Sequence, residues 1–223
     1  MDEWIPSPDD RVSALAEYKQ LGRWRTGAAN IEGRFRKQWG EARLHLYEKG
    51  LVVTAPGGSE WVYHWESTSV LQHLSTLNGR MRDASYTLIG ADGAALTVGR
   101  GLPAMLPRQL VEYGGTSHTR GPAVVYEASW GPEIQKGVAN AQWPLMTARL
   151  RRNETLTFGR VALDRDGVTD GRETVSWSAI GKVRTLDGRV HFDDARGRGL
   201  LLISASHILN LHLFLALVDW LRA

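Results

Sequence analysis

The chain has 223 residues, 27 Lys+Arg against 24 Asp+Glu, 43% hydrophobic residues, 24 glycines, nine tryptophans and no cysteine. This is the composition of a folded globular protein with one large domain or two small ones. It excludes wholesale disorder, disulfides, thiolate metal sites, iron–sulfur clusters and cysteine nucleophiles, and a net charge of +3 is too small to point to nucleic acid.

The opening MDEWIPSPDD is acidic and holds Pro6 and Pro8. It has neither the basic start nor the apolar run of a signal peptide. Residues 1–24 read as a flexible acidic tail followed by a short helix. Asp10 is the predicted cap, Val12, Leu15, Ala16 and Lys19 share one face, and the helix ends before Gly22. Beyond it, apolar and polar residues alternate, and turn pairs recur at Lys49-Gly50, Gly57-Gly58, Asn78-Gly79, Asp92-Gly93, Asp166-Gly167 and Asp187-Gly188. Short strands joined by such turns build antiparallel sheet, so the fold class is mainly β with a few helices (β+α).

The pattern repeats. Leu44–Leu51 lines up with Val161–Val168, Trp65, Thr68 and Leu71 with Trp177, Ile180 and Val183, and Tyr86–Val98 with Val190–Leu202. Each copy reads as a strand, a turn, a strand, a tryptophan-bearing strand and a final hairpin. A helix is predicted after each. The first, over 131–152, carries Ile134, Val138, Leu145, Ala148 and Leu150 and is kinked or split at Pro144. The second, over 207–222, carries Leu211, Phe214, Leu215, Val218 and Leu221. The first unit therefore spans 25–152, with an insertion over 99–130 that has no counterpart in the second unit, 153–223. The insertion reads as a short helix (Leu106 to Tyr113), a loop (Gly114 to Pro122) and an apolar run from Val124. Trp65, Trp177, Leu211, Phe214, Val218 and Leu221 are the predicted structural core. The run from Ile208 to Leu221 is too short to span a bilayer and is broken by Asn210, His212 and Asp219. A cytoplasmic protein is expected.

Gly167, Trp177, Ile180, Val183, Gly188, Gly197, Asn210, Leu211, Phe214, Leu217 and Val218 resemble the second domain of an uncharacterised actinobacterial family of tandem pleckstrin-homology-like proteins. The join Leu150 to Gly159 resembles that family's entry into its second unit. The likeness is close over 145–223 and loose over 34–98, where Thr68 departs from the pattern that Ile180 keeps. It implies two curved antiparallel sheets or partly open barrels in tandem, each capped by a C-terminal helix. It implies no reaction.

No constellation of residues announces chemistry. His207 and His212 are five apart, off the zinc-helix spacing, and His45, His64, His73 and His191 read as solvated strand histidines. Asp164, Asp166, Asp170 and Glu173 fit a hairpin better than a calcium loop. There is no dinucleotide fingerprint, P-loop or nucleophile elbow. No catalytic residue, metal or cofactor is therefore expected. Arg34, Arg36 and Lys37 with Trp39 form the candidate anion-binding patch, since the resemblance places basic residues of this kind where pleckstrin-homology domains hold lipid headgroups. Arg149, Arg151 and Arg152 suit a helix C-terminus. Trp24, Trp39, Trp61, Trp130 and Trp143 exceed what two small cores house, and mark a contact between units or a partner surface. The expected function is non-catalytic binding of a protein or peptide partner, with a peptide laid along a sheet edge beside the C-terminal helix. Peripheral binding to anionic lipid at the inner face of the membrane is the alternative. An enzyme gathering His45, His64 and Glu66 in one pocket is the second alternative, and no nucleic-acid partner is expected.

Overall fold

The computed structural model describes residues 7–30, 39–77, 80–100, 107–124 and 127–223. Helix α1 (Asp10–Tyr18) is capped by Asp9 rather than Asp10. Asp9 has the extended backbone that a cap requires, and its Oδ1 accepts from Val12 N at 2.8 Å. Asp10 sits in the first turn, where its charge meets the positive end of the helix dipole. Val12 and Ala16 pack with Leu21, Tyr47 and Val52, so α1 lies over the outer face of the first sheet.

That sheet is β1 (Trp24–Ala29), β2 (Arg43–Tyr47), β3 (Gly50–Thr54) and β4 (Glu60–His64), antiparallel in sequence order. A second sheet follows with β5 (Ser69–Leu77), β6 (Arg80–Ile89) and β7 (Ala94–Gly99), and β8 (Ser117–Arg120) adds to β7 in parallel. The expected loop over 114–122 thus contains a strand. Its SHTR sequence is polar because neither face of this outermost strand is fully buried. Helix α2 (Pro107–Glu112) precedes β8, and the long helix α3 (Glu127–Arg151) ends the unit. The second unit repeats the plan without an insertion. Its first sheet is β9 (Leu156–Phe158), β10 (Val161–Leu163), β11 (Gly167–Thr169) and β12 (Thr174–Ser176). The second is β13 (Lys182–Leu186), β14 (Arg189–Asp193) and β15 (Gly199–Ser204), and helix α4 (Leu211–Arg222) closes it. The protein is mainly β, with four sheets and four α-helices among the described residues.

The repeat is exact at its glycines. Gly50 pairs with His64, and Trp65 N donates to Lys49 O at 2.9 Å. Gly167 pairs with Ser176, and Trp177 N donates to Asp166 O at 3.1 Å. A Cβ at either glycine would collide with a carbonyl oxygen on the facing strand, Tyr63 O or Val175 O, so only glycine fits. Elsewhere the correspondence shifts by one. Val70 pairs with Leu88 and Val183 with Phe192, so Val70 rather than Leu71 is the counterpart of Val183. In the last hairpin an irregularity between Phe192 and Asp193 places Leu201, not Leu200, opposite Phe192 where Leu96 stands opposite Leu88.

Helix α3 runs unbroken through Pro132 and Pro144. Both prolines are exposed, as are the residues four positions before them, so the carbonyls that lose a partner face water. Its N-terminal half joins the first core, Trp130, Ile134 and Val138 packing with Trp65, Tyr86 and Leu88. Its C-terminal half joins the second, where Ala139, Trp143, Met146 and Leu150 pack on a cluster that includes Phe158, Phe192, Leu211, Phe214 and Val218. One helix walls both units. Of the predicted core, Trp65, Leu211, Phe214 and Val218 are buried, while Trp177 and Leu221 are half-buried against it. Trp177 leaves the strand into a short 3-10 turn, and its indole Nε1 donates to Asp164 O at 2.9 Å.

Candidate functional site

Three elements distant in sequence meet at the seam between the units, and two amides hold them. Asn210, just before α4, has a left-handed backbone at φ 50°, which asparagine tolerates better than most residues. Its N–H donates to Val70 O at 2.8 Å and its Oδ1 accepts from Val70 N at 2.7 Å. One residue of the second unit thus satisfies both backbone groups on the edge of β5. Its Nδ2 donates to Gln142 Oε1 at 3.0 Å, and Gln142 Nε2 donates to Trp65 O and Thr68 O, both at 2.9 Å. Those two carbonyl acceptors fix which way the Gln142 amide points. Two turns earlier on the same face of α3, Gln135 Nε2 donates to Gln72 Oε1 at 3.4 Å. The outer face of β5–β7 is covered too: Leu71, Ile89 and Ala95 pack with Leu110 and Tyr113 of the α2 region and with Leu209.

Among the described residues nothing covers the equivalent surface of the second unit. Among the described residues β13 is an edge strand whose residues are exposed except for Val183, which is half-buried. On the outer face of β13–β15, Leu186 is 49% exposed and Leu202 48% exposed. Beside them runs a cleft of about 390 Å³ between Leu200–Leu202 with His191 and the Asp170–Glu173 turn. Arg222 from α4 reaches the start of β13, donating to Gly181 O at 3.0 Å, so the helix end borders this edge.

The predicted anion patch is only partly described. Arg34, Arg36 and Lys37 lie outside the described residues. Trp39 is 4% exposed and stacks on Trp61 with ring centroids 5.8 Å apart, while its carbonyl accepts from Asn30 Nδ2 at 2.7 Å. Its ring is therefore a packing group and not a probe of a lipid interface. Trp130 meets Tyr86 edge-on, and Trp143 meets Trp220 between α3 and α4, so these rings are housed in the cores and at a helix contact. Arg149 and Arg152 converge on Glu154, and Arg151 lies over Trp220.

His45 departs from expectation. It is 5% exposed because α1 covers the face of β2 on which it lies, and burial pushes its pKa down to about 4 against a partly opposing pull from Asp9. Its Nδ1 has no partner. His45 lines a concavity with Asp9, Arg11 and Glu60, whereas His64 and Glu66 line a different groove with Lys49, Lys136 and Trp65. The three residues of the enzymatic alternative are not brought together. Asp164 Oδ1 accepts from Asp166 N and Gly167 N and closes a hairpin, as the turn reading expected. Among the described residues no group of three or more His, Asp or Glu side chains could hold a metal ion.

Fold and seam together define a mainly β protein of two β+α units joined through a shared helix, with Asn210, Leu209 and the Arg160–Glu112 ion pair making contacts across the seam. A family of unknown function (DUF6585) has a sequence model that matches residues 128–223, which is α3 from its second residue together with the whole second unit. No curated protein matches the chain.

Proposed function

We propose that the protein is a tandem of pleckstrin-homology-like units with a non-catalytic binding role, and that its binding surface is the β13 edge with the outer face of β13–β15. Four strands, three strands and a closing helix, given twice in that order with α2 and β8 inserted before the helix of the first copy, support the pleckstrin-homology-like reading. The observation that carries the binding role is the asymmetry between the copies. In the first unit the β5 edge and outer face are covered by Asn210, Leu209 and α2. In the second unit no described residue covers the counterpart, which presents two half-exposed leucines. The partner that fits is an extended protein segment: its backbone pairs with β13 as Asn210 does with Val70, its apolar side chains on the outer face cover Leu186, and the residues that follow cross β14 to reach Leu202 on β15.

The test is selection of a displayed random-peptide library on the purified full-length protein. Enriched peptides should alternate apolar residues, and should lose binding to a Leu186→Asp/Leu202→Asp variant, whose exposed substitutions leave the fold intact. They should bind a Lys136→Glu variant, altered in the α3 groove, as they bind the parent. Peptides that bind the doubly substituted protein equally well, or no enrichment at all, overturn the reading. Flotation with anionic liposomes that is lost in an Arg34→Glu/Arg36→Glu/Lys37→Glu variant would move the role to a membrane surface instead.

A further inference from the structure

Under α2, the outer face of the first unit's second sheet has a composition that packing alone does not account for. Beside its apolar cluster, β6 and β7 turn Ser85, Thr87 and Thr97 to the same face, and all three are buried. Tyr113 after α2, with Ser206 and His207 from the turn preceding α4, roofs them over a cavity of about 210 Å³. That is the volume of roughly seven liquid waters. Among the described residues the lining carries hydroxyl, amide, imidazole and phenol groups, and no carboxylate, ammonium or guanidinium. The neighbouring charges, Arg160 and Glu112, are engaged with each other at 2.7 Å.

Buried hydroxyls are costly unless hydrogen-bonded, and here they are ordered into a chain. Thr87 Oγ1 meets Thr97 Oγ1 at 2.7 Å, and Thr97 Oγ1 meets His118 Nε2 at 2.7 Å. Burial lowers the pKa of His118, and burial with the nearby Arg160 lowers that of His207, so the fold favours the neutral form of both imidazoles. If His118 Nε2 accepts, Thr97 donates to it, Thr87 donates to Thr97, and Thr87 is left with lone pairs to offer. If Nε2 donates, the chain reverses and Thr87 has its proton to give. In both cases the two threonines present a pre-oriented hydrogen-bonding surface that carries no charge of its own. Tyr113, 6% exposed, closes the roof with its ring. A charged ligand would lose its hydration here with no counter-charge to replace it.

We infer that this cavity binds an uncharged, hydroxyl-rich molecule of monosaccharide or cyclitol size. Because Ser206 and His207 come from the second unit and Thr87 and Thr97 from the first, the bound molecule bridges the seam.

The test titrates the full-length protein with glucose, ribose and myo-inositol as neutral probes and inorganic phosphate as the anionic one, read by saturation-transfer NMR and calorimetry. Saturable, salt-independent binding of at least one neutral probe is expected, with a raised unfolding midpoint. Thr87→Val and Ser206→Ala should each weaken it roughly two- to tenfold, the range of one neutral hydrogen bond. Thr87→Val strips a partner from Thr97, so Ser85→Ala serves as the variant that keeps that chain intact. It should fold with nearly unchanged stability and still bind more weakly. No saturable binding of any neutral probe, binding of phosphate alone, or affinity unchanged in all three variants overturns the inference.

Discussion

Replacing Asn210 by alanine tests whether one side chain holds the two units together. The substitution leaves Val70 N and Gln142 Oε1 buried without partners. Each orphaned group costs about 1–3 kcal/mol. Alanine must also adopt the positive φ that asparagine tolerates, at about 1–2 kcal/mol. The expected loss is therefore about 3–8 kcal/mol, a large share of the 5–15 kcal/mol typical of a folded protein. Asn210→Gly removes the backbone part alone and should recover about 1 kcal/mol relative to alanine. Urea unfolding at neutral pH, followed by tryptophan fluorescence and by far-UV circular dichroism, measures each variant. Combined with Gln142→Ala it closes a double-mutant cycle, which should show strong coupling because both side chains belong to one network. A loss for Asn210→Ala below about 1 kcal/mol, or additive effects in the cycle, would refute the reasoning.

Three further expectations can be checked by the same unfolding measurement. His45 titrates near 6.5 when unfolded and at about 4 in the fold, so the folded state binds its proton less tightly. Stability is full above pH 6.5 and falls by about 3 kcal/mol as the pH drops towards 4, and His45→Leu should flatten that limb. Gly137→Ala should destabilise by about 1–3 kcal/mol although alanine favours helix, because its Cβ would lie 2.8 Å from the Trp65 ring. Gly50→Ala should cost at least as much as Gly137→Ala, since the colliding group is the Tyr63 carbonyl, a backbone atom that cannot turn aside; a loss smaller than that of Gly137→Ala would contradict this.

What the sequence displayed and what it concealed divide along the range of the interactions. Gly50 and Gly167 were legible because a local backbone clash forbids any other residue, and the two tryptophans that follow them mark the repeat. Both helices that close the units were legible from their spacing. The one-residue shift near Asp193 was hidden because an irregularity in a ladder leaves no trace in apolar alternation. Strand β8 was hidden because parallel pairing with β7 asks little of a polar tetrapeptide. His45 read as solvated because nothing in β2 reveals that α1 lies on it. Asn210 could be placed before α4, but its partner is 140 residues away, and only the folded chain brings Val70 to it. Leu202 lies in the continuous apolar run Leu200–Ile203, which shows no alternation from which an outward residue could be picked, and Leu186 stands at the end of its strand, out of phase with Val183.

Helix α3 has a consequence for how such a protein can be cut, swapped or evolved. Its first half belongs to one core and its second half to the other. A boundary drawn in the connection after Arg151 would strip the second unit of Trp143, Met146 and Leu150, while one drawn before Glu127 would open the first. The two copies share a party wall. Neither could be exchanged or lost alone without a replacement helix, and the block able to travel between proteins is the second copy together with the wall it shares.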